Sequence, residues 1–138
     1  AAGVQTNASF GLDGVSLLPF LTIEKNKSPH EQLVWRKDAE AAIRLNQYKL
    51  IRVKGLGERL YDLNQDPGET NDLQLQKPQL FSSMKQQLLT WEKDKMKPIW
   101  TEGAVWDTIT WMIHDDLMNN RKVRVHNPEE LDKLRLRK

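Results

Sequence analysis

The 138 residues contain no cysteine. Disulfides, zinc–thiolate centres and thiol nucleophiles are excluded with it, and no redox compartment can be read. No apolar run approaches the roughly 18 residues needed to cross a bilayer, and the first residues do not form a basic-then-apolar leader. Neither sign of charge dominates. Lysine and arginine number 21 against 19 acidic residues, a formal charge of +2. That balance gives no argument for nucleic acid, and the positive excess collects in the last eighteen positions. What is present is 38% hydrophobic and 29% charged, a composition that suits a soluble globular chain and not a disordered one. The length is one domain's worth, enough for a real core with a modest stability margin.

The chain is organised around residues 58–73. Residues 59–63 alternate apolar and polar side chains, as a strand does. Residues 64–68 are turn formers, with Pro67 fixed near φ −65° and Gly68 free to take positive φ. Thr70 or Asn71 is expected to cap a helical turn after them. Upstream, residues 32–36, 41–45 and 48–54 read as strands. Asn46-Gln47 is a short polar link that favours an antiparallel hairpin. In the third strand Ile51 and Val53 share one face, and Tyr48, Leu50 and Arg52 the other. Pro78 opens the clearest helix, with Leu80, Met84, Leu88 and Trp91 at helical spacing. The fold class expected is α+β, a four-stranded antiparallel sheet packed against one long helix, with additional helices after residue 100.

The flanks are less regular. Asn7-Ala8-Ser9 fits the glycosylation acceptor pattern. Asp13 is expected to cap a short turn over residues 14–18 that Pro19 ends, and residues 24–29 read as a polar loop. Trp106, Ile109, Ile113 and Leu117 share a helical face, with Thr101 or Glu102 as the expected start. Asn127-Pro128-Glu129-Glu130 is a helix N-terminus, with an Asn cap, Pro at the first position and acids at the positive dipole end.

Candidate chemistry is sparse. His114, Asp115 and Asp116, with Asp107 and Asn119 nearby, have the donor types for a divalent ion. Adjacent helical residues diverge by about 100°, so a solvated helix face is expected instead. His30 and His126 have no nucleophile or acid at a telling spacing. Trp91, Trp106 and Trp111 are expected in the core, and Trp100 as an exposed contact is the alternative. The basic run from Lys133 to Lys138 complements a helix C-terminus. Asp66 and Glu69 read as turn and capping groups. No catalytic, cofactor-binding or metal residue is nominated.

Three segments carry a resemblance. Leu60-Tyr61-Asp62-Leu63, Asp66-Pro67, Glu69, Asn71 and Leu73 resemble the "LYDL-x-x-DP-x-E-x-x-N-L" signature near the C-terminus of sulfatases, members of the alkaline-phosphatase-like superfamily. Leu12-Asp13-Gly14, Ser16-Leu17-Leu18-Pro19 and Leu21 resemble the family's "LDG-x-SLLP-x-L" segment. Ala42-Ile43-Arg44 with Tyr48-Lys49-Leu50-Ile51 resembles its strand pair. The three stand in the family's order, and the likeness fades after Trp91. Sulfatases oxidise a Cys or Ser in "C/S-x-P-x-R" to formylglycine and hold a divalent ion such as calcium. No such motif occurs here, nor do the family's metal-holding acidic pairs.

The resemblance therefore implies the C-terminal piece of a sulfuric ester hydrolase. Residues 1–29 would be the end of the catalytic domain and a linker, and 30–97 the C-terminal subdomain. Residues 98–138 would be a helical, Trp-rich and basic extension. The implied partners are the upstream catalytic domain and a sulfated substrate at the cleft edge, with neither nucleic acid nor a membrane span. The alternative is an independent protein- or carbohydrate-binding module using residues 100–113 and the basic C-terminus.

Overall fold

A computed structural model describes residues 14–22 and 28–136. The chain divides into two units, Ala1–Glu31 and Gln32–Lys138. In the first, α1 (Leu18–Leu21) is a single turn with Pro19 at its start. Proline thus opens this turn instead of ending one, because a missing N–H costs nothing in the first turn of a helix. Leu17, Leu18 and Leu21 are exposed. The Asn7 acceptor pattern, the Asp13 cap and most of the 24–29 loop lie outside the described residues.

The second unit begins with four strands, β1 (Gln32–Lys37), β2 (Glu40–Leu45), β3 (Tyr48–Val53) and β4 (Gly57–Asp62). They form one antiparallel sheet in the order β1-β2-β3-β4. Two-residue links at 38–39 and 46–47 set the first two registers, so Ile43 pairs with both Val34 and Leu50, and Leu50 with Leu60. Gly55 turns the third link at φ +84°, and the indole Nε1 of Trp111 lies 3.5 Å from where a Cβ would sit. The backbone geometry calls for glycine there, whereas a Cβ would meet the indole only at ordinary van der Waals distance.

One sheet face carries the main core. Ala41, Ile43, Leu50 and Leu60 meet Leu73 and the buried Met84 and Leu88 of α2 (Pro78–Lys93), with Val34, Leu45, Tyr48, Leu80 and Phe81 around them. Leu80, Met84 and Leu88 lie where the α2 spacing places them, whereas Trp91, expected in the core, is only half-buried and stands outside this cluster. Each large side chain buried here stabilises the fold by about 1.5–3 kcal/mol. Two ion pairs fix α2 against the strands. Arg52 grips Glu92 through two bonds of 2.8 and 2.7 Å, and Lys85 meets Glu58 at 2.9 Å.

The opposite face presents Ala42, Ile51, Val53 and Tyr61. It meets α3 (Ala104–Met118), whose Trp111, His114, Leu117 and Met118 line clefts together with sheet residues. A second small core joins Ile109, Met112 and Ile113 of α3 to Val125 and to Leu131 and Leu134 of α4 (Pro128–Arg135). At α4 the Asn127 side chain accepts from the Glu130 N–H at 3.0 Å, and Glu130 reaches back to the His126 N–H at 2.8 Å.

Two expectations for α3 are corrected. It starts after Gly103, with no side-chain cap. Thr101 and Glu102 lie before it, and the Glu102 carboxylate is taken by Lys37 at 2.9 Å. Its inward stripe is Ile109, Met112, Ile113 and Asp116, the i, i+3, i+4, i+7 pattern. Trp106, Trp111 and Leu117 are exposed. The helix is rotated from the all-apolar reading because Asp116 is satisfied inside by two arginines.

Candidate functional site

The signature turn is built by carboxylates. The Asp62 carbonyl accepts from the Gln65 and Asp66 N–H groups at 3.2 and 2.7 Å. Asp66 Oδ2 accepts from the N–H groups of Thr70 and Asn71, each at 2.8 Å, and Oδ1 from the Thr70 hydroxyl at 3.0 Å. Those N–H donors hold the Asp66 carboxyl below its ordinary range, the Asn71 amide most of all. The expected capping by Thr70 or Asn71 is thus reversed. These residues donate to Asp66 and start no helix, and the next one begins at Pro78. Asp72 Oδ1 accepts from the Leu60 and Gln74 N–H groups at 3.1 and 3.0 Å, while Leu73 N–H donates to the Leu60 carbonyl at 2.7 Å. Residues 72–73 therefore occupy the outer edge of β4.

This turn forms the rim of a cleft of about 320 Å³. Lys49 and Ile51 of β3 and Tyr61 of β4 make its floor, and His114, Leu117 and Met118 of α3 its wall. Pro67, Gly68 and Glu69 close the rim. Lys49 and Tyr61 face each other across the β3–β4 ladder. Glu69 stands at φ +56° and meets Lys49 Nζ at 2.6 Å. Asn120 ties the far end of α3 to the turn by donating to the Thr70 carbonyl at 2.8 Å.

Two titratable groups in the cleft are perturbed. Burial, followed by the Asp72 charge, pushes the Tyr61 hydroxyl up to about 12. Burial, then Lys37 and Lys49, holds the His114 imidazole below its usual pKa, so it is neutral at pH 7. Tyr61 is 3% exposed. Every fully buried side-chain polar atom among the described residues has a hydrogen-bond partner. The Tyr61 hydroxyl has none there, so it opens into the cleft.

The His114-Asp115-Asp116 cluster disperses instead of converging. His114 turns to the sheet, and Asp116 is fully buried, which corrects its reading as a solvated residue. Its carboxylate accepts from Arg121 Nε at 3.0 Å, from Arg124 Nε at 2.9 Å and from the Arg124 N–H at 3.1 Å. These bonds hold its pKa at about 2, with the Arg124 side chain the largest cause. Asp115 pairs with Arg121, and Asn119 Nδ2 donates to its carbonyl at 2.7 Å. Asp107 is exposed at the first turn of α3. Among the described residues no three His, Asp or Glu side chains are grouped to hold a metal ion.

The remaining candidates stand apart from the cleft. His126 Nδ1 lies 3.0 Å from Glu130, and His30 lies in the first unit. Trp100 is 85% exposed, and Trp91 is half-buried beneath the ammonium of Lys95. In the basic run, Lys133 and Arg135 occupy the last turn of α4. Lys49 and Tyr61 entered the sequence reading only as motif residues and Met118 was given no role, although strand alternation already places Lys49 and Ile51 on one face of β3, and the β3–β4 register adds Tyr61 to it.

No family model matches the sequence, and no curated protein matches it. Solved structures do. A protein of Bacteroides thetaiotaomicron described as a sulfatase is 28% identical with a TM-score of 0.53, over 67% of this chain and 22% of that one. Ps i-CgsB is 24% identical with a TM-score of 0.59, over 80% of this chain and 25% of its own, and has also been solved with k-i-k-neocarrahexaose. At that identity it speaks for the fold alone. This chain spans about a quarter of these proteins or less. The sheet-and-helix fold of this chain is thus shared with one part of a protein described as a sulfatase.

Proposed function

We propose that this chain is the non-catalytic C-terminal subdomain of a sulfatase-type hydrolase. The carrying observation is the likeness to the Bacteroides thetaiotaomicron sulfatase over two thirds of this chain but only 22% of that one. Within that reading, 1–29 is the end of the catalytic body with its linker, 30–97 the supporting subdomain, and 98–138 an extension. The residues here do not fit either group that sulfatase chemistry uses. Formylglycine needs a Cys or Ser in "C/S-x-P-x-R", which this sequence lacks. The one adjacent acidic pair on α3 is committed to Arg121 and Arg124. Both groups belong to the upstream body. The subdomain contributes fold stability, and its turn and α3 shape substrate access.

The test is sulfate release from p-nitrophenyl sulfate, by the 138-residue chain and by the product of the whole reading frame. The isolated chain is expected to release none. The whole product is expected to carry an in-frame "C/S-x-P-x-R" before Ala1 and to turn over. Turnover by the isolated chain overturns the proposal. An upstream frame without the motif removes the sulfatase activity and leaves the binding-module reading in its place.

A further inference from the structure

The β3–β4–α3 cleft holds polar groups that the fold does not use. Tyr61 is 97% buried by its 3% exposure, yet its hydroxyl has no partner among the described residues and opens into the cavity. The ring is buried while the hydroxyl reaches the cavity, where water or a ligand can complete its hydrogen bonds. His114 stands on the opposite wall, also without a hydrogen-bond partner among the described residues, and offers one donor and one acceptor when neutral. Ile51, Leu117, Met118 and Pro67 supply apolar surface between them.

The charges narrow the ligand. Lys49 is spent on Glu69 at 2.6 Å, and Lys37, the other cation acting on His114, is spent on Glu102 at 2.9 Å. An anion entering here would lose its water and find no uncommitted cation. The cavity volume, about 320 Å³, is at the small end for a ligand site. Convergent hydroxyl partners, apolar walls and cancelled charge suit one chemistry. We propose that this cleft binds an uncharged, hydroxyl-bearing ring, a single pyranose sugar unit. Its C–H face lies on Ile51 and Leu117, and its hydroxyls bond to Tyr61 and His114. Lys49 and Glu69 remain paired at the mouth, with the second Glu69 oxygen free to accept. The inference rests on the cleft alone and stands whether or not the proposed function does.

The test is an NMR amide titration of the 138-residue chain with methyl β-D-galactopyranoside, methyl β-D-glucopyranoside and, in parallel, sodium sulfate. Saturable shifts at Gly68, Glu69, Leu117 and Met118 are expected with at least one pyranoside and none with sulfate. Tyr61→Phe keeps the sheet and should weaken binding about 2- to 10-fold, the worth of one net hydrogen bond. Leu117→Lys, at a half-exposed position outside both cores, should weaken it further by charging the apolar wall. Silence toward both pyranosides overturns the proposal. So does saturable binding of sulfate at these amides, or unchanged pyranoside affinity in both variants. None of these results bears on sulfate release by the whole reading frame, so the two readings fail separately.

Discussion

Asp116 offers the sharpest perturbation, because one carboxylate joins α3 to the whole segment that follows. It accepts from Arg121 Nε, Arg124 Nε and the Arg124 N–H at 3.0, 2.9 and 3.1 Å. Its carbonyl accepts from the Arg121 N–H at 2.7 Å. Asp116→Asn keeps the shape but turns an N–H₂ toward guanidinium donors. The folded pKa of about 2 lies below the reference 3.8, so folding favours the ionised form. A shift of that size corresponds to at most about 2.5 kcal/mol. Both guanidinium groups are about half exposed, with side chains at 47% and 48%, and solvent screening brings the figure to about 1–2 kcal/mol. The stabilisation is complete above the unfolded pKa and is lost as pH falls from about 4 to about 2. Thermal denaturation at pH 7 should show Asp116→Asn lower by about 3–8 °C. Near pH 2 the gap should shrink to a small fraction, since the native carboxyl is then about half protonated as well. Equal midpoints at pH 7, or a gap unchanged at pH 2, would refute the assignment of Asp116 as an ionised, arginine-held group.

Two further substitutions test the packing. Leu50→Ala removes a fully buried side chain paired with Ile43 and Leu60 at the centre of the sheet. It should cost about 2–5 kcal/mol in urea denaturation, whereas Leu75→Ala, at a 90% exposed position, should change stability by less than about 0.5 kcal/mol. Arg52→Lys replaces the two-bond grip on Glu92 by a point charge. It should cost about 0.5–1 kcal/mol, and a double-mutant cycle with Glu92→Gln should recover that coupling.

The sheet and α2 were legible because their signals are local. Alternation over 59–63, the two-residue link at 46–47 and the proline at 78 each act within a few residues, and the strands and helix fall where those rules put them. The motif resemblance placed the same elements in a sulfatase subdomain, and the solved neighbours agree in fold. The orientation of α3 was not legible. A hydrophobic stripe drawn through Trp106, Ile109, Ile113 and Leu117 treats Asp116 as polar and therefore wet. Burial of Asp116 is decided by Arg121 and Arg124 beyond the helix end, and no window along α3 contains that information.

The same rotation explains why the cleft escaped the sequence. Turning Asp116 inward brings His114 toward the sheet, two residues back and about 160° round the helix. It also leaves Leu117 at the mouth of the cavity. Tyr61 belongs to the most recognisable motif in the chain, where it reads as a strand residue with a buried ring. That much is true, since it is 3% exposed. Its free hydroxyl has meaning only once α3 is in place. The cleft is therefore a product of two ion-pair commitments, Asp116 to its arginines and Glu69 to Lys49. The first sets the wall and the second cancels the charge at the rim, and together they leave Tyr61 and His114 as the groups able to recognise a ligand.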